Sequence, residues 1–131
     1  MKMLYLSQPL AKDKFEEVRK VRKMILQYLT EKRIVLDQNH EYQFTYHWLM
    51  PVIDESIKHT MGVKYFKNTI MEISKRLQAF GNADHFIFID QWMCFPECQL
   101  DKYILDLYGK TNYITFRVKE NELKLAYRRI I

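Results

Sequence analysis

Apolar residues recur along this chain at two periods, and the switching between them predicts the elements. Met3 to Leu6 is a short unbroken apolar run that reads as a strand, ended by Ser7, Gln8 and Pro9. Residues 12 to 30 read as a helix, because Phe15, Val18, Val21, Ile25 and Leu29 recur at steps of three and four with charges between them. Arg33 to Asp37 is a second strand candidate, so the chain opens as strand, helix, strand, a unit with parallel strands and a right-handed crossover. Residues 38 to 62 are aromatic-rich without a clear period. They read as a loop and a short helix from Pro51 through His59, broken by Gly62, that covers a pocket.

The second half is more regular. Val63, Phe66, Ile70, Ile73, Leu77 and Phe80 predict a helix over 63–80, with Gly81 as its C′ residue. His85 to Ile89 is a continuous apolar run, the pattern of a central parallel strand covered on both faces. Asp90 to Phe95 form a loop, Pro96 opens a helix to Tyr108, and Gly109 ends it. Tyr113 to Val118 and Leu123 to Tyr127 alternate as strands around a hairpin turn at Lys119 to Glu122. Strands alternating with helices predict an α/β fold. The expected architecture is flavodoxin-like and doubly wound: a mostly parallel sheet, helices on both faces and a C-terminal β-hairpin. The Met3–Leu6 and His85–Ile89 strands should be its adjacent, central, parallel pair. Ligands of such sheets bind at the carboxyl ends of the strands. Three loops meet there: Ser7 to Asp13, Asp37 onward, and Asp90 to Phe95.

Composition narrows the class. The chain has 131 residues, 48% of them hydrophobic, which predicts a single domain over 1–131 with a substantial core. No apolar run approaches the roughly 20 residues that span a bilayer, and the apolar start is too short for a secretory signal; the expectation is a cytoplasmic protein that does not engage membranes. Two cysteines, Cys94 and Cys98, make no disulfide framework, and the four histidines are scattered, so neither a metal nor another cofactor is expected. The net charge of +5 suits an anionic partner, but Arg19, Lys20, Arg22 and Lys23 read as the solvated face of the first helix. Nucleic acid is therefore not the expected partner. Trp48, Tyr42, Phe44, Tyr46 and Trp92, outside the regular elements, predict a homodimer or higher homo-oligomer.

Asp101 is the residue least easily explained as structure. It falls at the edge of an apolar stripe made by Leu100, Ile104, Leu107 and Tyr108. A carboxylate there is costly unless it is paired or functional; capping or solvation of a helix edge is the plainer explanation. Glu97 stands one turn earlier, and two carboxylates so spaced repel, which favours a proton on one of them. Tyr5 lies in the first strand and is as readily a core tyrosine. Asp90 ends the central strand, where function is expected, whereas Asp84 at its other end caps or pairs. Trp92 either stacks on a base or closes the core.

The opening Tyr5-Leu6-Ser7-Gln8-Pro9-Leu10 resembles the first strand and turn of the nucleoside 2-deoxyribosyltransferase-like family, closest to its short, often phage- or prophage-encoded branch. A second stretch is similar too: Ala83-Asp84 with the apolar strand behind it, then Trp92, Cys98-Gln99-Leu100-Asp101 and Tyr108-Gly109. The resemblance implies a nucleoside or nucleotide ligand and transfer or hydrolysis at an N-glycosidic bond, with a carboxylate nucleophile at Asp101, Tyr5 hydrogen-bonded to it, and Asp90 as the acid assisting the leaving base. It also implies a substrate-binding set of Ser7, Gln8, Pro9, Asp37, Trp92, Glu97 and Cys98. The chain departs from the family where an aspartate replaces its glutamate, where Pro96-Glu97 replaces its Arg-Gly, and where Gln91 replaces its glycine. Proline offers no amide to a phosphate and Glu97 adds negative charge, so a 5′-phosphate should be poorly received. The alternative function is an inactive relative that binds or sequesters a nucleotide-derived small molecule, as viral counter-defence proteins do.

Overall fold

The computed structural model describes residues 2–31, 42–45, 63–109 and 112–129. Strand β1 (Lys2–Leu6) leads through a 3₁₀ turn at Lys12–Lys14 into helix α1 (Phe15–Glu31). Strand β2 (Tyr42–Phe44), helix α2 (Val63–Gly81) and strand β3 (His85–Ile89) follow. A second 3₁₀ turn (Asp90–Trp92) precedes helix α3 (Pro96–Tyr108), and strands β4 (Tyr113–Lys119) and β5 (Glu122–Arg129) end the described chain. They form one five-stranded sheet in the order β2-β1-β3-β4-β5, parallel except for β5. This mostly parallel α/β sheet is consistent with a flavodoxin-like fold, and β1 and β3 are parallel neighbours as their apolar runs predict. No helix among the described residues is long and apolar enough to cross a membrane.

The period-2 alternation of β1 divides the core. Leu4 and Leu6 pack with Val18, Val21, Ile25 and Leu29 of α1 and with Ile87, Ile89, Ile114 and Phe116 of the sheet. Tyr5 points to the other cluster, with Phe86, Phe88, Ala79 of α2 and Leu105 of α3. Of the five apolar residues that predict α1, Val18, Val21, Ile25 and Leu29 are buried, because a single apolar stripe leaves one way to bury it, and Phe15 at the helix start is half-buried.

Helix α3 begins at Pro96, where a missing N–H costs nothing, and Phe95 before it is extended (φ −84°, ψ 133°), as a residue preceding proline prefers. Gly109 ends it for steric reasons. Its φ of −93° needs no glycine, but a Cβ there would lie 2.7 Å from the Leu105 carbonyl oxygen. Glu120 and Asn121 join β4 to β5 and both have positive φ (53° and 62°), the backbone that matches strand twist in a two-residue connection.

Two expectations need correction. The strand that pairs with β1 is Tyr42–Phe44, inside the stretch read as loop; the Arg33–Asp37 candidate and the Pro51–His59 helix lie outside the described residues. Three residues with only Phe44 buried are too short to show a period. Gly81 closes α2 as its last helical residue, and its φ lies outside the left-handed range of a C′ glycine. Helix α2 buries a face that its apolar spacing does not specify. Ile70 and Leu77 are 45% and 39% exposed, whereas Arg76 and Ala79 are buried, with Ile73 and Phe80 half-buried beside them. A small alanine lets the helix approach Tyr5 and Phe86, and Arg76 finds an ionic partner inside; periodicity reports a stripe without saying which arc meets the sheet.

Candidate functional site

The site is built where β1 ends. Ser7 follows Tyr5 by two residues, so both hydroxyls emerge on the α2–α3 side of the sheet. The Ser7 amide extends the pairing by donating to the Ile87 carbonyl of β3 (2.9 Å). Tyr5 Oη donates to Asp101 Oδ2 at 2.9 Å and Ser7 Oγ donates to the same oxygen at 2.7 Å. Asp101 enters from the second turn of α3 and is 1% exposed.

Arg76 of α2 completes the cluster. Its Nε lies 3.1 Å from Asp101 Oδ2 and 3.4 Å from Oδ1, and its Nη2 also donates to Oδ2. Nη2 further lies 3.5 Å from Ser7 Oγ and 3.9 Å from Cys98 Sγ. Both charged side chains are almost wholly buried, at 3% and 1% exposure. In that low-dielectric setting each requires the other. Burial pushes the Tyr5 phenol well above its usual range; Arg76 pulls it down less strongly, while Asp101, which accepts the phenolic proton's hydrogen bond, adds to the rise. Burial also pushes the Cys98 thiol up to about 12, against the opposing pull of Arg76. Tyr5 and Cys98 are therefore neutral at physiological pH, Tyr5 as a donor to Asp101 and Cys98 as the acceptor of the long contact from Arg76. Burial alone would weaken the hold of Arg76 on its proton, but Tyr5 and Asp101 together outweigh it.

Asp101 thus neither caps nor solvates a helix edge. One of its oxygens accepts from Tyr5, Ser7 and Arg76, and among the described residues the other has only the longer contact to Arg76. Glu97, expected to act against Asp101, is engaged elsewhere: its Oε1 accepts the Leu10 amide at 3.0 Å, fastening the Ser7–Leu10 turn to the start of α3. Gln8 and Pro9 are buried in that turn, and Gln8 Oε1 accepts from Arg22 Nε and Nη2 of α1 at 3.0 and 2.7 Å. Asp84 accepts the Met3 amide at 2.8 Å, a cap of the strand pair as expected.

Other residues singled out from the sequence go elsewhere. Asp90 is exposed, and its carboxylate pairs with Arg117 of β4 at 3.0 Å, outside the Asp101 cluster. Trp92 is 2% exposed and packs in the core with Ile89 and Cys98, so it closes the core and offers no stacking face. Asp37 lies outside the described residues. Among the described residues, no three His, Cys, Asp or Glu side chains stand together to hold a metal ion.

Sequence reasoning missed Arg76, the charged partner of Asp101 among the described residues. A signal existed: Arg76 stands three residues before Ala79 and four before Phe80, on the inward arc, and a buried carboxylate calls for the planar, always-charged guanidinium. Three buried donors have no acceptor among the described residues: Arg76 Nη1, Gln8 Nε2 and Trp92 Nε1. No protein-family model matches this chain, and neither a curated protein nor a solved structure matches it.

Proposed function

We propose that this chain is a nucleoside- or nucleotide-binding protein of the nucleoside 2-deoxyribosyltransferase-like kind. In this reading the domain is doubly wound, closes with a C-terminal hairpin, and takes its ligand at the carboxyl ends of β1 and β3, above Tyr5, Ser7 and Asp101. The observation that carries the reading is the Tyr5–Asp101 hydrogen bond of 2.9 Å. It joins two residues 96 apart in sequence, the two that the family resemblance pairs.

Binding without cleavage is the form the geometry favours. An attacking carboxylate needs a lone pair free to reach the anomeric carbon, and Arg76 withdraws charge from Asp101 while its neighbours enclose it. In this reading the cluster is a rigid floor that sets the shape of the site, and the ligand's polar groups meet the Ser7–Leu10 turn. A second reading, N-glycosidic cleavage, draws on the Asp101 oxygen whose one contact among the described residues is the 3.4 Å one to Arg76. In that reading Oδ1 attacks the anomeric carbon, the base departs with the electrons of the broken C–N bond and takes up a proton, and water resolves the ester. Asp90 is poorly placed as the proton donor, because it lies at the surface, paired with Arg117 and outside the Asp101 cluster.

Calorimetry with deoxynucleosides and their 5′-monophosphates, paired with chromatography for free base, tests both readings. The expected result is binding of unphosphorylated nucleosides, weaker binding of monophosphates, and no base release. Pro96 and Glu97 in the first turn of α3 set that order, by removing an amide and adding a negative charge. Binding of neither class at millimolar concentration would overturn the proposal. Base release by wild type that Asp101→Asn abolishes in a folded variant would establish the cleavage reading instead.

A further inference from the structure

The Ser7–Leu10 turn carries one side chain whose chemistry its neighbours fix. The turn is fastened at both ends: the Ser7 amide donates to the Ile87 carbonyl of β3 at 2.9 Å, and the Leu10 amide donates to Glu97 Oε1 of α3 at 3.0 Å. Between them Gln8 is wholly buried, at 0% exposure. Its Oε1 accepts from Arg22 Nε at 3.0 Å and from Arg22 Nη2 at 2.7 Å. Arg22 is itself well placed. Its helix α1 is anchored by the buried Val18, Val21 and Ile25, and its guanidinium lies 4.8 Å over the Phe44 ring of β2. A guanidinium carries donors alone, whereas a glutamine amide has one accepting oxygen and one donating nitrogen. Turning the amide over would set its N–H groups against those of Arg22 at both contacts. The oxygen therefore stays with Arg22, and Nε2 faces the other way, where it has no acceptor among the described residues. A free glutamine reads donors and acceptors alike by rotating; Gln8 reads acceptors alone.

A second group of the same kind stands at the same end of the sheet. Trp92 follows β3 as Gln8 follows β1, and those strands are hydrogen-bonded parallel neighbours. Both side chains lie on the α1 side, Gln8 against Arg22 and Trp92 in the cluster with Val18, Val21 and Ile25. The indole nitrogen can only donate, and it too is buried without an acceptor among the described residues. With Arg76 Nη1, every buried side-chain polar atom left unpartnered among the described residues is a donor, and none is an acceptor. Buried donors without partners are rare, and an oxygen that meets one gains more than the usual exchange of hydrogen bonds with water.

We propose that Gln8, held by Arg22 as a fixed donor, sets the base specificity of the nucleoside site: it selects bases that carry an exocyclic oxygen where cytosine and adenine carry an amino group. The inference rests on the nucleoside reading and adds to it the class of base. A base of the uracil, thymine or hypoxanthine kind sets a carbonyl oxygen against Nε2. An amino base sets N–H groups there, and in a buried site both donors are then stranded. Discrimination of this kind is strong, because the rejected ligand lacks a bond and also leaves the protein's own group unpaired. Arg22 touches no ligand in this scheme. It is a positioning residue, and it acts by denying Gln8 the second orientation of its amide.

Calorimetry with two matched pairs tests this: deoxyuridine against deoxycytidine, and deoxyinosine against deoxyadenosine. Wild type should bind the oxo member of each pair at least about tenfold tighter. In Arg22→Met the Gln8 amide turns freely, and the ratio should fall to within about threefold; an Arg22 that served stability alone would leave the ratio unchanged. Gln8→Glu keeps its pairing with Arg22 but presents an oxygen, so its preference should pass to the amino member. Equal binding within both pairs, or tighter binding of the amino members, by wild type would overturn the inference and give Nε2 to a buried water. That comparison needs no variant, so it decides even where Arg22→Met or Gln8→Glu does not fold. A preference that survives in folded Arg22→Met would overturn it by placing the selection elsewhere. Binding of none of the four nucleosides at millimolar concentration would overturn the nucleoside reading itself, and this inference with it.

Discussion

Asp101→Asn is the most informative single change, because it removes one charge from a buried pair and little else. The amide keeps the size of the carboxylate, so no cavity opens and the loss is electrostatic. Among the described residues Arg76 would be left without a counter-charge at 3% exposure, with Nη1 already lacking an acceptor there. Removing one partner of such a pair typically costs about 3–5 kcal/mol. The Tyr5 and Ser7 hydroxyls would also lose a charged acceptor, although an amide oxygen can still receive one of them. Against a typical domain stability of about 5–15 kcal/mol, the variant should be visibly weakened and can unfold at body temperature. Urea denaturation followed by circular dichroism measures it, and Arg76→Gln should cost a similar amount by stranding the carboxylate. The double variant should then cost clearly less than the two single changes added together, since each charge is expensive only while the other is missing. Single-variant losses below about 1 kcal/mol with additive behaviour, the range typical of exposed pairs, would refute a buried, mutually dependent ion pair.

Four further outcomes follow from other parts of the fold. At neutral pH a thiol reagent should label Cys94 alone, because it is exposed while Cys98 is buried and its thiol is pushed up to about 12; two equivalents reacting in folded protein would contradict this. The folded value lies above the ordinary 9.0, so the stabilisation is complete below pH 9 and is lost as pH rises towards 12; melting temperature should fall across that window, at first less steeply in Cys98→Ala. Glu120→Asn with Asn121→Gly should raise stability by about 1 kcal/mol, since both positions hold positive φ; a loss would show that the turn is set by other contacts. Asp90→Ala should change stability by less than about 1 kcal/mol, because its pair with Arg117 is solvent-exposed; a larger loss would give Asp90 a structural role.

Much of the architecture is written in single stretches of sequence. The unbroken run His85–Ile89 specifies a strand buried on both faces, and it lies between β1 and β4. The stripe Val18, Val21, Ile25, Leu29 specifies α1 and its inward face, because charges occupy the remaining positions. Pro96 and Gly109 bound α3 by local sterics alone. Such features depend on neighbours within a few residues, and local chemistry settles them. The sequence could also mark Asp101 and Tyr5 as unusual, since a carboxylate on an apolar stripe is a local anomaly. It could not say that Arg76 answers it, nor that Arg76 and Ala79 turn inward while Ile70 and Leu77 turn out. Nor could it show that Tyr42–Phe44 is the strand beside β1, or that Glu97 holds the Leu10 amide. Those outcomes depend on which groups meet across 25 to 96 residues of chain, and a buried charge is stable only where its counter-charge arrives. Local pattern limits which sides of a helix can be buried; the meeting of α2, α3 and the end of β1 selects among them.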